Sequence, residues 1–311
     1  MNFISFVIPC YRSENTIEHV VDSICQLMKQ HLEDKFEIIL VNDCSPDGTF
    51  GVIEKLASNH PEVLGIDMAK NLGQHSALMA GMRFSKGDVV VCIDDDGQTP
   101  PEEAYKLIDG LENWDVVYAN YPEKQHSGFR NFGSKVNGKM LEIMCEKPAD
   151  LYVSSYFAAR RFIVDKICEY TGPFPYVMGL VLRSTNSIGS VAVNHREREN
   201  GSSGYTMKKL LALWINGLTA FSVKPLRIAT ALGCFSAVLG VLYGIWAIYN
   251  KITNPQAPLG WTTMIIILLV LGGLILFVLG MIGEYIGRIY ISMNSSPQYI
   301  VRRVVGNTEN K

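Results

Sequence analysis

The first 120 residues alternate between short apolar runs and stretches with helical spacing. Phe3–Ile8 predicts a strand, and Ile17, Val20, Val21, Ile24 and Leu27 mark one face of a helix over Glu14–Gln30. Phe36–Val41 is a nearly continuous apolar strand, and the Thr49 hydroxyl is placed to cap a helix running to Ala57. Then follow a weaker strand at Val63–Met68, a helix at Gly73–Ser85, a buried strand at Asp88–Ile93, a helix at Glu102–Leu111 and a strand at Val116–Ala119. Strands that are apolar on both sides and spaced by helices predict an α/β fold with a mostly parallel sheet covered on both faces. Ligands of such sheets sit beyond the carboxyl ends of the strands. That edge carries Pro9-Cys10-Tyr11, Asn42-Asp43, Lys70-Asn71 and Asp94-Asp95-Asp96.

The pattern changes after residue 205. Thr206–Ser222 places Met207, Leu210, Leu211, Trp214, Leu218 and Phe221 on a helical stripe with Lys208 and Lys209 off it. A core helix of the preceding domain would show the same stripe. The apolar segment that follows directly favours a helix lying in the headgroup layer. Ile228–Tyr249 and Met264–Ile282 contain no charge. As helices they measure about 33 and 29 Å, against a hydrocarbon core of roughly 30 Å. Two membrane spans are expected. Basic residues flank them at Lys208, Lys209, Lys224 and Arg227 before, and at Arg288, Arg302 and Arg303 after. The excess of positive charge places both flanks, and the large domain, in the cytoplasm. The expected organisation is a cytoplasmic domain at 1–205, an amphipathic juxtamembrane helix at 206–225, two spans with a short external loop at 226–283 and a cytoplasmic tail at 284–311.

Composition sharpens the division. The chain has 311 residues, 48% hydrophobic and 19% charged, with a net charge of −2. That balance excludes a disordered chain and disfavours a nucleic-acid partner. Residues 226–311 hold six basic and two acidic residues, whereas residues 1–225 hold 22 basic and 28 acidic. Between Glu199 and Glu284 there is no acidic residue. The seven cysteines include no C-x-x-C pair and read as small hydrophobes in a reducing compartment. Small residues at Ala229/Gly233, Gly240/Gly244 and Gly283/Gly287 suit close helix contact, within the pair of spans or between protomers.

Candidate chemistry lies at the strand ends. Asp94-Asp95-Asp96 ends a buried strand, and three adjacent carboxylates repel one another unless a cation joins them. Hard carboxylate oxygens there suit Mg²⁺ or Mn²⁺ bridging phosphates; the alternative is an acidic cap on the helix at Glu102. Asn42–Thr49 could be an ordinary Asx and Pro-Asp-Gly turn. Beside the aspartate cluster, Asp43 becomes an acceptor for an N–H of a uracil or another base. Arg130, ahead of Lys135 and Lys139, and the paired Arg196 and Arg198 are candidate phosphate ligands, since guanidinium groups bind phosphate bidentately.

Taken together, Val7-Ile8-Pro9-Cys10-Tyr11, Val41–Thr49, Asn71-Leu72-Gly73-Gln74-His75 and Asp94–Glu102 resemble the family-two inverting glycosyltransferases. More narrowly, the whole chain resembles the polyisoprenyl-phosphate glycosyltransferases, relatives of dolichol-phosphate mannose synthase. The resemblance implies a glycosyltransferase-A fold, Rossmann-like with a mostly parallel sheet. It also implies a nucleotide-sugar donor, a divalent metal (Mg²⁺ or Mn²⁺) and a polyprenyl-phosphate acceptor such as undecaprenyl phosphate. By motif, Pro9, Tyr11, Glu14, Asp43, Lys70, Asp94 and Asp95 are assigned to the nucleotide, Gln98 to the donor sugar, and Asp94 and Asp96 to the metal. Asp94, Asp96, Asp150 and Arg198 are the expected catalytic residues. Arg130, Arg196, Arg198, Lys208 and Lys209 are the expected ligands of the acceptor phosphate. A homo-oligomer at the inner membrane is expected, without nucleic acid.

Two departures from the family pattern stand out. Gly204 replaces a lysine of the family's Gly-x-Ser-Lys-Tyr segment, and Lys208 or Lys209 would have to substitute. The segment Ser154–Arg160 lacks the family's acidic base, leaving Asp150 as the nearest carboxylate. A phosphate monoester loses its second proton near pH 6, so at neutral pH the acceptor needs positioning more than deprotonation. A processive polysaccharide synthase is disfavoured because none of the four tryptophans follows an arginine. A non-catalytic nucleotide-binding scaffold is disfavoured by the intact aspartate triple.

Overall fold

The computed structural model describes residues 2–97, 99–121, 147–148, 151–194, 224–253, 260–294 and 297–306. It divides into two compact units, Met1–Thr206 with Ser295–Lys311, and Met207–Asn294.

The first unit is built on an eight-stranded sheet. Its strands are β1 (Phe3–Cys10), β2 (Lys35–Asn42), β3 (Val63–Met68), β4 (Val89–Cys92), β5 (Val116–Asn120), β6 (Phe157–Arg160), β7 (Ile188–Ala192) and β8 (Val301–Gly306), in the order β7-β5-β6-β4-β1-β2-β3-β8. β1 pairs in parallel with β2 and β4, β2 with β3, and β5 with β7. β6 runs antiparallel between β4 and β5, and β8 antiparallel beside β3. The five strands expected from hydrophobic pattern are present. β6 has two alanines and an arginine, β7 is interrupted by Gly189-Ser190, and β8 carries two adjacent arginines, so none of these three has the apolar run that marks a buried strand.

Period-two alternation splits the core between the faces. Ile4, Phe6 and Ile8 of β1, with Ile38 and Leu40 of β2, pack against α1 (Ile17–Met28), α2 (Thr49–Asn59) and α4 (Ala104–Gly110). Val7, Ile39, Val41 and Ile66 face α3 (Gln74–Phe84), α5 (Arg161–Cys168) and α6 (Val177–Ser184). The expectation that Thr49 caps α2 is corrected. Gly48 occupies the cap position, and Thr49 is the first helical residue. Its hydroxyl instead accepts the Ser13 N–H at 2.8 Å and donates to Asp47.

The second unit contains α7 (Lys224–Thr253) and α8 (Trp261–Met293). Leu226–Asn250 and Val270–Met293 are long and apolar enough to cross a membrane, with mean hydropathies of 2.0 and 1.9. α8 runs past Ile282, where the apolar segment was expected to stop, so Glu284 and Arg288 are helical. The 284–311 stretch, expected to be a simple tail, thus contains the end of α8 and then β8 of the sheet.

Candidate active site

The loops leaving β1, β2, β3 and β4 meet at one edge of the sheet. Register puts Cys10 opposite Asn42 and Asn42 opposite Asp67, so the chain exits β1, β2 and β3 side by side. Two non-glycine residues adopt left-handed backbone here, Arg12 (φ 60°) and Cys44 (φ 50°). Such conformations are strained and persist where surrounding contacts fix them. The Arg12 N–H donates to Ser45 Oγ at 2.7 Å, and the Cys44 thiol lies 3.8 Å from the Ala69 carbonyl.

The three adjacent aspartates diverge. Asp94 is clamped, with Oδ1 accepting from Gln74 Nε2 at 2.8 Å and Oδ2 from Ser155 Oγ at 2.5 Å. Burial pushes its carboxyl up to about 6; the charges of Asp96 and Asp95 add to the rise, and the Ser155 and Gln74 hydrogen bonds oppose it. Asp95 turns toward β1, where its Oδ2 accepts from the Tyr11 N–H at 3.0 Å and from Ser13 Oγ. Burial raises its carboxyl too, against those two hydrogen bonds and with the Asp96 charge. Asp96, followed by Gly97 at φ +70°, is partly exposed at the turn.

Asp43 has a structural task that its sequence position did not reveal. Its two carboxylate oxygens accept the N–H groups of Leu72 (2.8 Å) and Gly73 (2.9 Å), and Asn71 Nδ2 donates to its carbonyl at 3.0 Å. Gly73, at φ +89°, makes the turn into α3 that brings these amides round. Burial raises the Asp43 carboxyl while the two N–H bonds pull it down. Each oxygen keeps a second lone pair, so a base N–H can still be accepted. Glu14 Oε2 accepts the Gly48 N–H at 2.7 Å and ties the β1 and β2 loops together. Pro9 lies within β1, and Tyr11 and Lys70 are exposed at the strand ends.

The structure therefore gathers Pro9, Tyr11, Glu14, Asp43, Lys70, Asp94, Asp95 and Asp96 at one edge. Gln98, Arg130, Asp150, Arg196, Arg198, Lys208 and Lys209 lie outside the described residues. Sequence reasoning placed Gln74 in a family motif without giving it a role, and it missed Ser13 and Ser155, whose hydroxyls carry no distinctive signal until folding brings them to the aspartates. It also missed Glu103, whose carboxylate receives both the backbone and side-chain N–H groups of Asn194. That contact anchors Asn194, two residues before Arg196 in the sequence.

Among the described residues no three His, Cys, Asp or Glu side chains converge as a metal cage. The donor set nevertheless fits a divalent ion held on Asp96 and completed by substrate phosphates, the usual arrangement for Mg²⁺. Asp94 accepts one hydrogen bond at each oxygen, and each keeps a second lone pair.

Residues 5–168 match the family Glycosyl transferase family 2, and residues 224–289 match the GtrB C-terminal hairpin. The chain belongs to glycosyl transferase family 2. Its aspartate triple and strand-end loops are therefore those of a glycosyltransferase on a glycosyltransferase-A fold. It is 35% identical over 315 residues to an undecaprenyl-phosphate 4-deoxy-4-formamido-L-arabinose transferase from Proteus mirabilis, covering 98% of this chain and 95% of that protein. It is 32% identical over 309 residues to an uncharacterized glycosyltransferase, YkcC, from Bacillus subtilis, covering 99% and 95%. Mycobacterium tuberculosis glucosyl-3-phosphoglycerate synthase, solved with Mn²⁺, UDP-glucose and phosphoglyceric acid, shares the fold (TM-score 0.52, 21% identity, 71% of this chain and 78% of that one).

Proposed function

We propose that this glycosyltransferase moves a single sugar, with inversion, from a nucleotide diphosphate donor to undecaprenyl phosphate at the cytoplasmic face of the inner membrane. The donor is a UDP-hexose. The observation that carries the reading is the convergence, through Gln74, of the Asp94–Asp96 turn with the Asp43 loop, in a chain whose residues 224–289 match the GtrB C-terminal hairpin. The Proteus relative, named for an undecaprenyl-phosphate acceptor, supports the choice of lipid. The fold shared with a synthase solved on UDP-glucose and Mn²⁺ supports the donor and the ion.

In this reading the base stacks at Tyr11 and is read at Asp43. Asp95 fixes the Tyr11 backbone, and Glu14 holds the two loops at a set spacing. Asp96 holds the divalent ion, Mg²⁺ or Mn²⁺, which when bound neutralises charge on the departing diphosphate. Asp94, fixed by Gln74 and Ser155, keeps the turn that presents Asp96. The acceptor phosphate is already ionised at neutral pH, and Arg130, Arg196, Arg198, Lys208 and Lys209 position it, so the scheme requires no general base; Asp150 is the reserve candidate for one. Gln98 contacts the sugar. Attack on the anomeric carbon from the face opposite the nucleotide passes through an oxocarbenium-like state, as at other glycosyl centres.

The helical unit begins after Thr206 and ends before Ser295, so both of its ends lead into the same compact unit. An even number of crossings and the basic flanks support cytoplasmic placement of both termini. In the helical unit, a Cβ at Gly233, Gly240, Gly244, Gly283 or Gly287 would meet nothing within 4 Å. Those open positions support a homo-oligomer packed through the hairpins. A panel of UDP- and GDP-sugars, offered with undecaprenyl phosphate and metal to the purified protein, tests the reading. The lipid product should gain the mass of one hexose from a UDP donor. Product from GDP donors alone would change the nucleotide, and repeated addition of sugar would refute single transfer.

A further inference from the structure

The segment at β8, which follows the apolar hairpin in the chain, reaches the donor side of the sheet through a buried carboxylate and the Ala69 backbone. Asp67, at the carboxyl end of β3, has a side chain only 4% exposed. Its Oδ2 accepts from Arg302 Nη1 at 3.1 Å, and its Oδ1 accepts from Asn42 Nδ2 at 2.8 Å. Asn42 Oδ1 in turn accepts the Ser45 N–H at 3.2 Å, and Ser45 Oγ receives the Arg12 N–H. A second strand of contacts runs in parallel. Arg302 Nη2 donates to the Ala69 carbonyl at 3.3 Å, and the Ala69 N–H donates to Ile300 at 2.8 Å. Ala69 leads into the Asn71–Gly73 turn that holds Asp43. The two left-handed residues, Arg12 and Cys44, both sit at the far end of these contacts.

We propose that Arg302 is a positioning residue for the donor nucleotide, acting through Asp67 and Asn42 on the 42–48 loop and through Ala69 on the Asp43 turn. A buried carboxylate needs a charged partner, and Arg302 supplies it with a fork that spans Asp67 and the Ala69 carbonyl at once. Without it Asp67 is left with a neutral amide and the more distant Arg303 at 4.0 Å, and the Asn42 side chain loses its fixed orientation. Arg303 reaches Asp67 only at 4.0 Å; its close contacts are Glu54 at 2.7 Å and the Phe50 ring at the outer edge.

The proposal rests on the donor-pocket reading, and UDP with Mn²⁺ is the probe for both. In full-length protein in detergent, calorimetric titration should show Arg302→Ala weakening UDP about fivefold, within the range that such networks transmit. Arg302→Lys should recover part of the loss, and Arg303→Ala should leave UDP affinity within about twofold even where it lowers the melting temperature. With substrate, the change should appear in the donor KM and leave kcat nearly untouched. If Arg302→Ala does not fold, Asp67→Asn tests the same link from its other end with the same expected loss. Unchanged UDP affinity in whichever of these variants folds overturns the relay. Asp43→Ala separates the two levels of argument. Lost UDP binding there, with none lost in the Arg302 and Asp67 variants, refutes the relay alone. UDP binding retained in Asp43→Ala refutes the pocket and the relay together.

Discussion

Three consecutive aspartates that look equivalent in sequence receive three environments. Asp94 is half-buried and held by an amide and a hydroxyl, Asp95 faces the β1 loop, and Asp96 stands at the turn. Asp96→Asn is therefore expected to lower turnover by about a thousandfold, the upper end for losing one electrostatic contact to a leaving group, with an unchanged melting temperature. Steady-state rates at saturating Mn²⁺ beside a thermal melt check both halves. Ser155→Ala should lower kcat by roughly tenfold, the worth of one hydrogen bond to a charged group, measured in the same assay. The aspartates themselves were legible because three carboxylates at a strand end have few structural reasons to coexist. Their partners were not, because Ser155 lies sixty-one residues away in sequence and a lone serine announces nothing.

At the scale of elements, α3 brings a half-buried histidine beside the site. His75 packs edge-on against Tyr176 with ring centroids 5.0 Å apart, and its Nδ1 has no hydrogen-bond partner among the described residues. Burial holds its pKa down at about 4, from an ordinary 6.5. The unfolded chain therefore binds a proton in that window that the folded chain refuses. Stability from this residue is full above pH 6.5 and falls as pH drops toward 4. His75→Phe, which keeps the ring contact, should flatten that part of the acid limb, seen as the difference between wild-type and variant melting temperatures from pH 7 to pH 4. Burial likewise keeps the Cys10 and Cys92 thiols protonated at the ends of β1 and β4. Iodoacetamide should leave both unmodified in the folded protein and label them after denaturation, by peptide mass. The first four helices and the five two-sided strands could be read from periodicity because burial enforces it, whereas the eight-residue α5 and α6 were not expected. β8 could not, since an edge strand carries charge on its open side and Val301–Gly306 has arginine at two successive positions.

For the whole molecule, the chain leaves the sheet unit, forms two long apolar helices and returns to close the sheet with β8. The hairpin was legible because some twenty residues without a charge have few alternatives to a bilayer. The return was not, because the pairing of β8 with β3 joins residues more than 230 positions apart. Alkaline carbonate should fail to extract the protein from membranes, and its appearance in the supernatant would contradict integral spans. The central claim is that a nucleotide departs at the aspartate turn when a lipid phosphate displaces it. Its most direct test is UDP release by the purified full-length protein supplied with a UDP-hexose that the donor panel shows to be a substrate. Release should begin only when both undecaprenyl phosphate and Mn²⁺ or Mg²⁺ are present, and should stop on chelation. Release at the same rate without the lipid, or undiminished by chelator, would contradict the account.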